Sequence, residues 1–173
     1  MPNFTRYIST LYHFTDRSNI PCIREHGGLL SLAKLEEFVI DVPRPGGNDL
    51  SHRLDRRFKG HQYVHLCFLD EHPMEYVARK DGRLPNPVFL TVHPSILETP
   101  GILFTEGVSN KAGVPLIDRQ TANEVFDFDV MHGRPNFRDP ETMRRVQSAR
   151  KYEALVPDQV GIKYLTNLRY FKV

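Results

Sequence analysis

The apolar positions of this chain fall in short runs broken by polar turns, a rhythm that predicts strands with a few scattered helices rather than long amphipathic rods. Leu11-Tyr12-His13-Phe14-Thr15, bounded by Asp16-Arg17-Ser18, reads as a strand ending in a turn. A helix is predicted directly after it: Ser18 can cap it, Pro21 fits its first turn, Ile20 and Ile23 begin an apolar face, and Gly27-Gly28 stop it. Leu29 and Leu30 start a new extended piece. From Ser31 to about Gly60 the pattern dissolves into Pro43, Pro45, Gly46, Gly47 and Asn48, then the basic stretch Arg53-Leu54-Asp55-Arg56-Arg57-Phe58-Lys59, which predicts a long loop. Loops of that length in compact proteins are usually functional.

Gln62 to Leu69 is apolar nearly throughout, as expected of a central strand buried on both faces. A helix over Pro73 to Lys80, a strand over Pro87 to Val92, a helical turn over Ser95 to Glu98 and a core strand over Ile102 to Thr105 follow. Glu106 to Phe137 predicts no clear element. Asp139-Pro140-Glu141 supplies a capping residue, a proline at the first helical position and an acid in the first turn, so a helix runs from there to about Arg150. Tyr152 to Val156 is again strand-like, and Asn167 to Val173 reads as a last strand. This order gives an α+β class.

Length and composition narrow the picture. At 173 residues and 20.0 kDa, with no repeat, low-complexity tract or linker, the chain reads as one domain over residues 1–173. No apolar run approaches the roughly 20 residues that span a bilayer, and MPNFTRYIST lacks the pattern of an export signal, so a cytoplasmic protein with no membrane role is predicted. A net charge of +2 and a pI of about 8.6 permit a polyanionic partner without demanding one. Cys22 and Cys67 match no CxxC or zinc-knuckle spacing and read as reduced and structural; none of the 8 histidines forms an HExxH pair, so no metal site is predicted.

Three constellations carry candidate chemistry. Alternation along the first strand puts His13 and Thr15 on one face, a pair able to bond a ribose, although a histidine satisfied by backbone at a strand end is the simpler reading of the residues alone. Arg53, Arg56 and Arg57 follow a Gly/Pro-rich stretch and suit a pyrophosphate, since a guanidinium donates two parallel charge-assisted bonds. The alternative is a solvated turn with Leu54 and Phe58 packed inward. Arg150-Lys151-Tyr152-Glu153-Ala154-Leu155-Val156 places one carboxylate in an apolar strand, where a charge is costly unless paired or working; the other reading is an edge-strand glutamate facing solvent.

At these residues the sequence resembles the DarT family, toxins of bacterial toxin–antitoxin systems that ADP-ribosylate bases in single-stranded DNA using NAD. The resemblance runs through Leu11 to Thr15 with Asn19 and Ile20, Ile23 to Leu30, Tyr63-Val64-His65-Leu66-Cys67-Phe68 with Pro73-Met74, Pro87 to Val92, Leu103-Phe104-Thr105, and Ala149 to Pro157. It implies the ADP-ribosyltransferase fold, a split, mostly antiparallel β core with peripheral helices and NAD in the cleft. It implies Glu153 as the catalytic carboxylate and a catalytic arginine on a loop from about Lys34 to Arg57, for which Arg53 is the choice among Arg53, Arg56 and Arg57. His13, Phe14, Thr15, Cys22, Leu30, Arg53 and Arg56 would then bind NAD.

The segment before Glu153 falls where this fold carries its substrate-recognition loop, so Asn110, Lys111, Arg119, His132, Arg134 and, further on, Arg150 are expected to meet nucleic acid, while Phe126 and Phe128 read equally as core on one face of a short strand. The partners implied are single-stranded DNA and a macrodomain antitoxin. Competing readings keep NAD but change the acceptor to RNA, protein or a transferred phosphate, replace catalysis by simple nucleic-acid binding, or invoke a histidine-based metal nuclease.

Overall fold

The computed structural model describes residues 4–47, 49–57 and 59–172. In chain order its helices are α1 (Phe4–Tyr7), α2 (Ile20–Glu25), α3 (Leu32–Glu37), α4 (Asp49–Arg57), α5 (Pro73–Lys80), α6 (Arg119–Val125), α7 (Phe128–His132) and α8 (Pro140–Ala149). Its strands are β1 (Leu11–Asp16), β2 (Gly28–Leu30), β3 (Tyr63–Cys67), β4 (Pro87–Val92), β5 (Leu103–Thr105), β6 (Glu153–Pro157) and β7 (Gln159–Gly161).

Five strands form one antiparallel sheet in the order β4-β1-β3-β6-β5, and β2 pairs with β7 in a second, two-stranded sheet. The architecture is thus the split, mostly antiparallel core with peripheral helices that the resemblance implies. β3 is central, as its largely apolar sequence predicts, and its register on β6 sets Cys67 opposite Glu153. β5 flanks β6 on the other side with Thr105 opposite Glu153. Glu153 therefore lies on an interior strand, not on an edge facing solvent.

Apolar side chains from every strand of the large sheet fill the core, including the fully buried Leu11, Leu66, Leu90, Phe104 and Leu155. An aromatic group extends it beneath α6 and α7: Phe126 stacks on Tyr152 at 4.3 Å between centroids and meets Phe68 edge-on. Phe126 and Phe128 thus serve as core residues, though they flank a break between two short helices and do not share a strand.

Several expectations change, each for a local reason. Asp16, not Ser18, starts the turn after β1: its Oδ1 accepts from the Ser18 amide and hydroxyl, and its Oδ2 accepts from the Asn86 amide at the start of β4. The expected loop over residues 31–60 contains α3, capped by Ser31, and the amphipathic α4; the inward packing expected of Phe58 lies outside the described residues. The unassigned stretch 106–137 holds α6 and α7. β5 is an outer strand, and Phe104 continues its pairing by exchanging backbone bonds with Ile117.

No strand is formed by residues 167–172; Leu168–Tyr170 is a 3₁₀ turn, and Val173 lies outside the described residues. What the segment does is cover the outer edge of β4. The His93 amide donates to Tyr164, Thr166 donates to Thr91, and the Asn167 side chain accepts from the Thr91 amide while donating to Phe89, so a side-chain amide stands in for a strand. β7, unpredicted because three residues show no periodicity, pairs β2 instead.

That pairing depends on Gly28, whose φ of 142° is closed to ordinary side chains and whose added Cβ would stand 2.1 Å from the Val160 carbonyl oxygen. Gly27 has a φ of 75° but open space around it. Gly27→Ala should therefore cost about 1–2 kcal/mol of unfolding free energy, and Gly28→Ala should cost clearly more because the two strands must also separate; urea midpoints of the two variants check this, and equal losses would contradict it.

Candidate functional site

A cleft of about 690 Å³ opens where the large sheet splits, within the size range of small-molecule and cofactor sites. β1 and β3 are in register at Tyr12 and Cys67. Past that point the His13 ring takes over, its Nδ1 donating to the His65 carbonyl at 3.0 Å. This is why consecutive residues His13, Phe14 and Thr15 all line the cleft despite alternating faces. Burial presses the His13 pKa below its ordinary value, so the ring is neutral and its Nε2 is left as an acceptor.

The cleft is covered by the chain after α3, which Asn19 fastens. The buried Asn19 amide donates to the Arg44 carbonyl at 2.7 Å and to Thr15 Oγ1 at 3.0 Å, and its oxygen accepts from the Arg44 amide at 2.9 Å. One side chain thereby satisfies both backbone groups of Arg44 and turns this residue into the cleft wall. Arg83 holds the same segment through the Gly46 carbonyl. On the opposite wall α4 contributes His52 and Asp55, and the chain after β5 contributes Val108, Ser109 and Asn110.

Glu153 lines the base of the cleft with 4% of its surface exposed. Its Oε2 lies 3.2 Å from His65 Nδ1 and accepts from the Ser109 amide at 3.3 Å. His72 brings Nε2 to 3.0 Å of Oε1, at ion-pair distance but outside good hydrogen-bond direction. Burial by itself would raise the Glu153 pKa, but His65 and His72, closing on its two oxygens, outweigh it and hold the carboxyl well below the usual range. Burial also opposes charge on His65, yet its bond to Glu153, the nearby Asp55 carboxylate and a bond to the Gly60 carbonyl push it up to about 9. The group at the cleft base is therefore an imidazolium–carboxylate pair, with Ser109 Oγ 2.9 Å from the same His65 nitrogen. Burial keeps the adjacent Cys67 a thiol.

The predicted site residues separate sharply. Glu153, His13, Phe14, Thr15, Leu30 and Asn110 line the cleft together. Cys22 lines an adjoining pocket of about 90 Å³ that also touches His13, Thr15 and Leu30. Arg53 is exposed and outside the lining, because His52 and Asp55 hold the inner face of α4. Arg56 pairs with Glu36. Among the described residues, Arg44 is the arginine that lines the cleft.

Of the residues expected to meet nucleic acid, Arg119 is tied to the Leu97 carbonyl and Glu98, Arg150 pairs with Glu71 at 2.6 Å, and His132 stacks on Phe128. Lys111 and Arg134 are exposed away from the lining. Sequence reasoning assigned no role to His65, His72, Ser109, Asn19, Arg44 or Asp55. A signal existed for two of them: His72 directly precedes the helix-starting Pro73, and its Nδ1 accepts from the Met74 amide as an N-cap; Asn19 stands four residues after Thr15, on which it closes. Among the described residues no three His, Cys, Asp or Glu are grouped to hold a metal ion, and no helix is long and apolar enough to cross a membrane.

A split antiparallel sheet whose cleft combines a neutral histidine on one strand with a buried, ionised glutamate on another is the arrangement that the resemblance to ADP-ribosyltransferases implies. Over residues 12–170 the sequence matches the family model described as ssDNA thymidine ADP-ribosyltransferase, DarT, and the chain belongs to this family of NAD-dependent enzymes. The fold is similar to that of Thermus sp. 2.9 DarT in complex with ADP-ribosylated ssDNA, at 17% identity and a TM-score of 0.64 over 91% of this chain and 78% of that one. The same Thermus protein in complex with NAD+ gives 19% identity and a TM-score of 0.58 over 91% and 79%. Thermosipho africanus DarTG in complex with ADP-ribose gives 24% identity and a TM-score of 0.66, over 92% of this chain and 43% of that one. Comparison with curated proteins gives no match.

Because folding raises the His65 pKa, the stability this group contributes is present in full below the ordinary histidine value of 6.5 and is lost as pH rises through about 9. Unfolding midpoints should fall across that window in the parent chain and stay nearly level across it in His65→Gln. A parent chain whose midpoint does not change there would contradict the charged pair.

Proposed function

We propose that this chain transfers ADP-ribose from NAD to a thymidine base of single-stranded DNA, with Glu153 as the catalytic carboxylate. The observation that carries the assignment of Glu153 is its position, an ionised carboxylate buried at the base of a cleft of nucleotide size. Cleaving the bond between nicotinamide and ribose leaves the pair of electrons on the departing ring and develops positive charge at the anomeric carbon. A fixed, desolvated carboxylate stabilises that charge as it forms, with no reorganisation at the moment of reaction. A ring nitrogen of the base then bonds to the anomeric carbon as its proton passes to water. Held far below neutrality, Glu153 is a poor acceptor for that proton and acts through its charge.

The residues present fit the rest of NAD. Leu30, Leu35 and Val42 supply apolar lining, the neutral His13 offers an acceptor, and the Arg44 guanidinium is the cation suited to the pyrophosphate. Asn110, beside Ser109 on the recognition segment, stands where an acceptor base would approach Glu153. We further propose a toxin role opposed by a macrodomain antitoxin. Its support is the resemblance in sequence and the similarity to the Thermosipho DarTG chain, which extends well beyond the part matched here.

Incubation with NAD and thymidine-containing single strands should add one ADP-ribose to the DNA by mass, and Glu153→Gln should slow this by about 100-fold or more. Modification of RNA alone would change the acceptor, and absence of both adduct and free nicotinamide would remove the enzyme reading. Arg44→Ala should raise the KM for NAD about tenfold or more, with Arg53→Ala nearly neutral. The reverse ranking would mean that α4 turns its outer face to NAD when the substrate binds.

A further inference from the structure

We propose that His65 and His72 are positioning residues of the transfer reaction, each closing on a different oxygen of Glu153 so that the carboxylate meets the cleft in one orientation. This rests on the reading of Glu153 as the catalytic carboxylate and goes beyond it, by assigning two residues that act through Glu153.

The geometry carries the inference. His65 is fixed at both ring nitrogens: Nε2 donates to the Gly60 carbonyl at 2.9 Å, which aims Nδ1 at Glu153 Oε2 3.2 Å away. Gly60 is itself tightly set, since a Cβ there would lie 3.3 Å from the His65 ring. His72 is fixed differently. Its Nδ1 accepts from the Met74 amide at 3.2 Å, so Nε2, the nitrogen 3.0 Å from Glu153 Oε1, carries a proton. The ring also lies against Phe14, with centroids 5.7 Å apart. With 1% of its side chain exposed, His72 has no room for another rotamer. One partner comes from β3 and the other from the N-cap of α5, so neither can relax with the other.

The surroundings of His65 favour its charge. Facing His65 are Glu153 from β6, Asp55 from α4 and His13 from β1; the two carboxylates favour the imidazolium and His13 disfavours it. His65 therefore supplies the cation that balances Glu153, whereas His72 orients it. Loss of the His65 proton at alkaline pH leaves a buried carboxylate without its counter-charge, and the rate should fall with it.

The test is the pH dependence of kcat and of KM for NAD, between pH 5 and 10, for the full chain and for His65→Gln, His72→Gln and Glu153→Gln, acting on a thymidine-containing single strand. Ionisation of thymine is common to all and cancels in the ratio of variant to parent. In the parent, kcat should decline as pH passes about 9. His65→Gln should lower kcat on the order of tenfold or more with little change in KM, lose the alkaline decline, and show an acid decline at higher pH than the parent. His72→Gln should lower kcat but keep the alkaline decline. A profile in His65→Gln that is merely scaled down, with its shape unchanged, would overturn the proposal.

Titration of the His65 ring by NMR does not depend on any histidine variant folding. It should titrate near 9 in the parent and at a lower pH in Glu153→Gln; an ordinary histidine value in the parent would overturn the proposal. Full activity in Glu153→Gln would refute the catalytic assignment, and the ring titration would still report on the pair.

Discussion

A carboxylate on an interior strand of an antiparallel sheet, with 4% of its surface exposed, is the constraint around which this molecule is organised. Removing such a charge from water costs several kcal/mol even after relaxation, and Glu153 is compensated by groups from three separate segments: His65 on β3, His72 at the start of α5 and the Ser109 amide after β5. Each must be in place for the others to be useful. The hold on Glu153 therefore ties the sheet to the chain after β5.

The second organising contact is Asn19. By bonding both backbone groups of Arg44 and the Thr15 hydroxyl, it converts a Gly/Pro-rich stretch with little regular structure into one wall of the cleft and selects which arginine faces inward. α4 completes the opposite wall by sorting its residues by face. His52 and Asp55 look toward the cleft, while Arg53 is exposed and Arg56 is spent on Glu36. The enzyme thus presents a compact set of inward polar groups, and several basic residues that look available for DNA in the sequence are engaged in holding the surface together, as with Arg119 on Leu97 and Arg150 on Glu71.

Membership in a family of single-stranded DNA thymidine ADP-ribosyltransferases fits this division of labour. The split between β1 and β3, Glu153 on β6 and the chain around Asn110 all border one cleft. The exposed Lys111 lies one residue beyond Asn110 on that segment.

The sequence by itself determined those features that rest on local periodicity and on residue type at fixed spacing. β4 and α5 begin and end where alternation and the Pro73 start predict, the apolar run at Tyr63–Cys67 becomes the central strand, and Glu153 stands out because a lone acid in an apolar strand must be paired or working. Short elements such as β7 had too few residues to show a period, and the edge cover by Asn167 mimics a strand through a side chain, which no backbone pattern reveals. Only the tertiary structure decided which partners close on Glu153 and which arginine enters the cleft. His65 and Glu153 lie 88 positions apart and meet through the register of β3 on β6; Arg44 and Asn19 lie 25 apart and meet through one amide. Register and long-range closure are properties of the packed sheet, because they are set by which faces are buried together.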